Sequence, residues 1–101
     1  MLDITRIRDI AEEVVRARIG TDLVEDVYAE PGSDWTGDDA IDVRVVIRPR
    51  AMRTITRDRK LGPTLIALSD RLVELGEMRF PFIAYMTRAE HRAKTRAQSK
   101  S

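Results

Sequence analysis

The stretch LGPTLIALSDRLVELGEMRFPFIAYM, residues 61–86, changes period once, and the change decides the fold. Leu61, Leu65, Leu68, Leu72 and Leu75 recur every three or four residues, with Ile66 and Val73 beside them, which is the apolar stripe of a helix. Pro63 sits where a first-turn proline is tolerated, and Gly76 ends the pattern. Phe80 to Met86 is then a short aromatic and apolar run. Pro81 near its beginning points to a strand start or a sheet edge, because proline donates no ladder hydrogen bond.

Upstream, Ile41, Val43, Val45 and Ile47 alternate with Asp42, Arg44, Val46 and Arg48, a half-buried strand closed by Pro49. Leu23 to Glu30 also has period two, with Leu23, Val27 and Ala29 on one side, and Pro31-Gly32 is expected to stop it. Between residues 4 and 19, Ile4, Ile7, Ile10, Ala11, Val14, Val15 and Ile19 mark one helical face. Asp3 or Thr5 caps its start and Gly20 its end. Residues 48–60 have only Met52 and Ile55 as anchors and read as a connecting loop with room for a short turn of helix. Downstream, Thr87 followed by Glu90 is a capping-box signature for a last helix over about 88–97. The order αββαβα predicts an α+β fold, a two-layer sandwich with a three-stranded sheet and the first two helices on one face. The third strand has a place beside either of the others. The expected organisation is one domain over 1–97, with residues 98–101 a frayed tail. The uncovered sheet face and edge invite a homodimer.

Composition narrows the function classes. The 101 residues are 35% charged and 43% hydrophobic, with 18 Lys+Arg against 17 Asp+Glu, so the chain is neither a disordered polyelectrolyte nor a polycation. With no Cys there is no disulfide, thiolate nucleophile or Cys-ligated metal, and one His leaves no His-rich site. No apolar run reaches membrane-spanning length and the first residues lack the layout of a signal peptide, so the expectation is a cytoplasmic protein of bacterial style, without cofactor or metal. Near-neutrality hides a cancellation of blocks. Residues 25–42 hold seven acids and no base, residues 44–60 seven bases and one acid, and residues 88–101 five bases and one acid.

Those blocks supply the candidate sites. Asp34, Asp38, Asp39 and Asp42 surround Trp35 and Gly37, but without the alternating D-x-D-x-D-G spacing of a calcium loop, and Asp with Gly is also what a solvated turn requires. Trp35 either folds down as a lid on the core or stays out as a binding anchor. Arg48, Arg50, Arg53, Arg57, Arg59 and Lys60 in one connection, with Arg92 and Arg96 in the last helix, are a candidate nucleic-acid surface, since such density neutralises several phosphates. Aromatic residues for base stacking are few, however. His91 reads as a surface side chain in a charged context, and neither Ser33 nor Ser69 stands in a nucleophile elbow.

Two resemblances add to this. Gly32-Ser33 followed by Asp42-Val43-Arg44 resembles the start of the minimal nucleotidyltransferase family, in which a Gly-Ser turn and an Asp-x-Asp strand hold a metal–nucleotide complex. Here Asp42 fills the first carboxylate position, Arg44 stands at the second, and the loop is shorter than that family's. The segment Leu72 to Ile83, with its GE-x-RFP ending, is similar to a group of small bacterial proteins of about this length. Some of these are paired with small helical proteins of the HEPN type, and the resemblance implies a two-component, antitoxin-like role. The leading expectation is a non-enzymatic protein-interaction domain that uses Asp34, Trp35, Asp38 and Asp39, the strand residues Phe82 and Tyr85, or both sets. The alternatives are an RNA- or DNA-binding module and a degenerate nucleotidyltransferase-like protein.

Overall fold

The computed structural model describes residues 2–99. Along the chain run α1 (Ile4–Ile19), β1 (Val24–Ser33), β2 (Asp39–Ile47), α2 (Ala51–Arg57), α3 (Leu61–Glu74), β3 (Phe80–Thr87) and α4 (Arg88–Ser99). The fold is α+β with a three-stranded mixed sheet in the order β1-β2-β3. β1 and β2 form an antiparallel hairpin, and β3 lies parallel to β2, with Ala40 beside Phe80 and Ile47 beside Thr87. A parallel neighbour needs a long crossover, which α2 and α3 provide.

One sheet face carries the core. Val27, Ile41, Val43, Val45 and Ile47 are buried there against Ile7, Ile10, Ala11, Val15 and Ile19 of α1 and Leu68 and Leu72 of α3. Asp3 caps α1, its carboxylate accepting from the Arg6 amide at 2.9 Å, so of the two expected caps the aspartate is used.

Several expectations are corrected. The connection at 48–60 contains α2, a seven-residue helix anchored by buried Ala51 and Ile55, so the element order gains a helix. β1 does not stop at Pro31-Gly32 but runs to Ser33; proline is accommodated because β1 is an edge strand. Its core-facing side gains Val24 beside the expected Leu23, Val27 and Ala29, because the register shifts between Val24 and Asp26 and the bulge resets the alternation. On α3, Leu61, Ile66 and Val73 are exposed, since the helix buries a narrower stripe than its leucines suggest, centred on Thr64, Leu68 and Leu72. α4 continues to Ser99, so residues 98 and 99 are helical; Lys100 and Ser101 lie outside the described residues.

The second sheet face is not left open along its whole length. α4 starts directly from β3 through the expected capping box: Thr87 Oγ1 accepts from the Glu90 amide at 3.3 Å, and Glu90 Oε1 accepts from the Thr87 amide at 3.1 Å. The helix then crosses toward β1, where the His91 ring stacks on Tyr28 with centroids 4.7 Å apart. Val46 and Met86 are buried beneath it.

Two helix ends share one device. At the end of α3 the Gly76 amide donates to Val73 O and the Glu77 amide to Leu72 O, a Schellman motif with Gly76 at φ +88°. At the end of α2 the Arg59 amide donates to Thr56 O and the Lys60 amide to Ile55 O, and the left-handed position belongs to Arg59 at φ +52°. A side chain there carries a steric cost that glycine does not. Arg59→Gly is expected to stabilise the chain by up to about 1 kcal/mol in urea unfolding, whereas Gly76→Ala is expected to destabilise it by about as much.

Candidate functional site

On the second sheet face, cross-strand rows can be read from the register: Gly32, Ala40 and Phe80; Glu30, Asp42 and Phe82; Tyr28, Arg44 and Ala84; Asp26, Val46 and Met86. α4 covers the last row and part of the third. The first two rows stay open, at the end of the sheet where the hairpin turns. A groove of about 450 Å³ begins there, bounded by Glu30, Asp42, Phe82, Arg44, Tyr28 and Lys94.

The hairpin tip, residues 34–38, is built by Asp34. Its Oδ1 accepts from the Thr36 amide (2.8 Å), the Thr36 hydroxyl (2.6 Å) and the Asp38 amide (3.0 Å), and Gly37 takes φ +91°. The Thr36 hydroxyl and these amides hold the Asp34 carboxyl below its ordinary range. Asp34 is therefore occupied by turn chemistry, while Asp38 and Asp39 are exposed. Of the two outcomes for Trp35, the indole stands out in solvent, 92% exposed.

The GE-x-RFP segment completes this end of the molecule. Glu77 is buried at 1% exposure. Its Oε2 accepts from Arg79 Nε at 2.9 Å and from the Arg79 amide at 3.1 Å, and its Oε1 accepts from Arg79 Nη2 at 3.1 Å and from the Leu2 amide at 2.9 Å. Arg79 Nη2 also donates to Leu2 O at 3.0 Å. The Arg79 guanidinium and these amides bring the Glu77 carboxyl from its usual 4.5 down to about 2. Glycine turns the chain, glutamate and arginine clamp it to the start of α1, and Phe80 then begins β3. Met78, inside the clamp, is left 78% exposed.

The sequence-predicted residues divide accordingly. Trp35, Asp38, Asp39 and Phe82 come to one end of the sheet, together with Phe80, the first residue of the expected aromatic strand, and Met78, which the sequence reading did not single out. Phe80 and Phe82 pack edge to face at 5.0 Å and stay 45% and 41% exposed. Alternation along the predicted strand holds the signal for Phe80, because it shares parity with Phe82; nothing local marks Met78. Tyr85 does not join them. It has the opposite parity, its ring packs against the core, and its hydroxyl is buried beside that of Thr64. Burial pushes the Tyr85 hydroxyl up to about 12.

Arg48, Arg50, Arg53, Arg57, Arg59 and Lys60 lie at the other end of β2, about 26 Å away at a strand's rise per residue. Arg48 Nε is spent on Asp22 O at 2.7 Å and Arg57 pairs with Asp58 at 3.1 Å. Among the described residues, Arg50, Arg53, Arg59 and Lys60 make no ion pair shorter than 4 Å. Arg92 and Arg96 are exposed on α4. His91 is not the open surface residue expected: it is half-buried on Tyr28, and burial, with Arg44 and Arg88 nearby, lowers its proton affinity.

Gly32-Ser33 is strand, not turn. A Cβ on Gly32 would fall 2.8 Å from the carboxyl carbon of Asp42, so the absence of a side chain is what lets that carboxylate lie across β1. Two residues on, Arg44 reaches Glu30 at 3.4 Å. Among the described residues, no three His, Asp or Glu side chains converge as a metal site would require. Comparison of the chain with models of known families, with curated proteins and with solved structures gives no match.

Proposed function

We propose that this chain is a non-enzymatic protein-interaction domain whose binding surface is the end of the sheet formed by the hairpin tip, Met78 and the exposed phenylalanines. The observation that carries the reading is the company kept there. Trp35, Met78, Phe80 and Phe82 are large apolar side chains left in solvent at one end, rimmed by Asp38, Asp39, Asp42 and Glu30. Aromatic and Met side chains inside a polar rim are the anatomy of an interaction surface, and acids at the rim select a basic partner. Glu30 and Asp42 stand directly opposite each other across the hairpin, and Arg44, which reaches Glu30 at 3.4 Å on the same face, offsets their repulsion. On the resemblance of the GE-x-RFP segment, the chain is the antitoxin-like member of a pair and its partner a small helical protein.

The test is recovery of a stoichiometric protein partner from the source cell by the tagged chain, repeated with Phe82→Ala and with Arg53→Ala/Arg57→Ala. Loss with the first variant and retention with the second supports the reading. Recovery unaffected by Phe82→Ala, or no stoichiometric protein at all, contradicts it.

A second reading rests on the unpaired cations at the opposite end. A nucleic-acid site at Arg50, Arg53, Arg59 and Lys60 predicts binding that weakens steeply with salt and falls alike on all sequences in Arg53→Ala. Absence of binding to single- and double-stranded probes at low salt removes it.

A further inference from the structure

The two edges of the sheet are finished differently. β1 is closed in several ways: its register breaks at a bulge, it carries Pro31, Glu25, Asp26 and Glu30, and two of its carbonyls are taken by α1, Val24 O by Arg16 at 2.8 Å and Val27 O by Arg8 at 3.1 Å. These are devices that stop strands from pairing with other chains. β3, the opposite edge, has eight residues with no charge and no register break, and its one proline stands at the second position. α4 leaves β3 at Thr87 and crosses toward β1, so it does not run along that edge.

We infer that the outer edge of β3 pairs with β3 of a second copy of this chain, antiparallel, to give a continuous six-stranded sheet. Charge selects a second copy as the partner. β3 runs from the acidic end of the molecule, where Phe80 adjoins Ala40 and the hairpin tip, to the basic end, where Thr87 adjoins Ile47 and Arg48. Antiparallel pairing therefore sets the acidic end of each copy beside the basic end of the other, while parallel pairing would set like against like. The uncharged strand adds no repulsion of its own. Both copies turn the same face the same way about a twofold, so the axis passes through a residue, Ile83 or Ala84, and not between two. In the first register Phe82 opposes the second copy's Ala84, and in the second Ala84 opposes its own mate. α3 packs over β3, so the same axis brings two copies of α3 onto one face, where Ile66 and Val73 are exposed apolar groups. The acidic and aromatic end is not consumed, because edge pairing uses the main chain and leaves Phe80 and Phe82 on the sheet face.

The test uses the whole chain. Sedimentation equilibrium is expected to give twice the 11.5 kDa mass of the chain, and a monomer at concentrations up to about 100 µM overturns the inference. Since the chain has no cysteine, Phe82→Cys/Ala84→Cys reports both registers: directly opposed residues of an antiparallel pair have Cα atoms about 5 Å apart, within disulfide reach, and mild oxidation should yield a covalent dimer. Trp35→Cys, whose mates lie at opposite ends of such a dimer, should not cross-link. Cross-linking through Trp35→Cys, or a folded double variant that does not cross-link, refutes the pairing.

Discussion

Glu77→Ala is expected to cost about 3–5 kcal/mol of stability, the range for removing one partner of a buried ion pair. The variant strands the Arg79 guanidinium, whose side chain is 14% exposed, and leaves the Leu2 and Arg79 amides without their acceptor. A domain of this size holds roughly 5–15 kcal/mol in all, so the loss approaches the whole in an unfavourable case. Glu77→Gln keeps the shape and an acceptor oxygen and is expected to lose less, about 1–3 kcal/mol. The same clamp fixes the acid response. The Glu77 carboxyl lies at about 2 in the folded chain against 4.5 ordinarily, so its contribution is complete above pH 4.5 and is lost as pH falls toward 2. That difference corresponds to about 3 kcal/mol. Urea unfolding across this range should show the loss in the parent chain and a flatter profile in Glu77→Gln. A Glu77→Ala variant within about 0.5 kcal/mol of the parent would show that the clamp does not hold the fold.

Trp35→Ala carries the other large effect, in binding rather than in stability. With the indole 92% exposed, truncation removes almost no packing, and unfolding should shift by no more than about 0.5 kcal/mol. Affinity for the partner should fall at least about 30-fold, the 2 kcal/mol expected of a central aromatic anchor. Tyr85→Ala gives the reverse pattern, because its ring packs in the core: a stability loss of a few kcal/mol, with the residual folded protein still binding. Calorimetric titration alongside urea unfolding separates the two. An unchanged affinity in Trp35→Ala would remove the hairpin tip from the interface.

How much of this was legible depended on the reach of the signal. The period change at residues 61–86 carried α3 and β3, and the alternation at 41–47 carried β2, because helix stripes and pleats are local. The bulge in β1 escaped because it is set by pairing with β2, and its effect is to add Val24 to the core side. α2 was legible only as room for a short turn, because a seven-residue helix offers less than a full period of evidence, and its buried anchors are Ala51 and Ile55 rather than the expected Met52 and Ile55. The binding end was half legible. Trp35 and Phe82 stood out as residue types, yet Tyr85 was grouped with Phe82 despite its odd spacing, and parity assigns them to opposite faces. Met78 and Glu77 needed the tertiary structure, since neighbouring residues in a short loop turn one outward and the other into the clamp with Arg79 and Leu2.

On the proposed reading, a protein partner sits at the acidic and aromatic end of the sheet. Hydrogen exchange on the chain, alone and in the complex with the protein it co-purifies with, tests this most directly. Protection is expected to be confined to residues 34–42 and 78–82, with residues 48–60 unchanged; protection centred on 48–60 and α4, with the hairpin tip unaffected, would place the partner elsewhere.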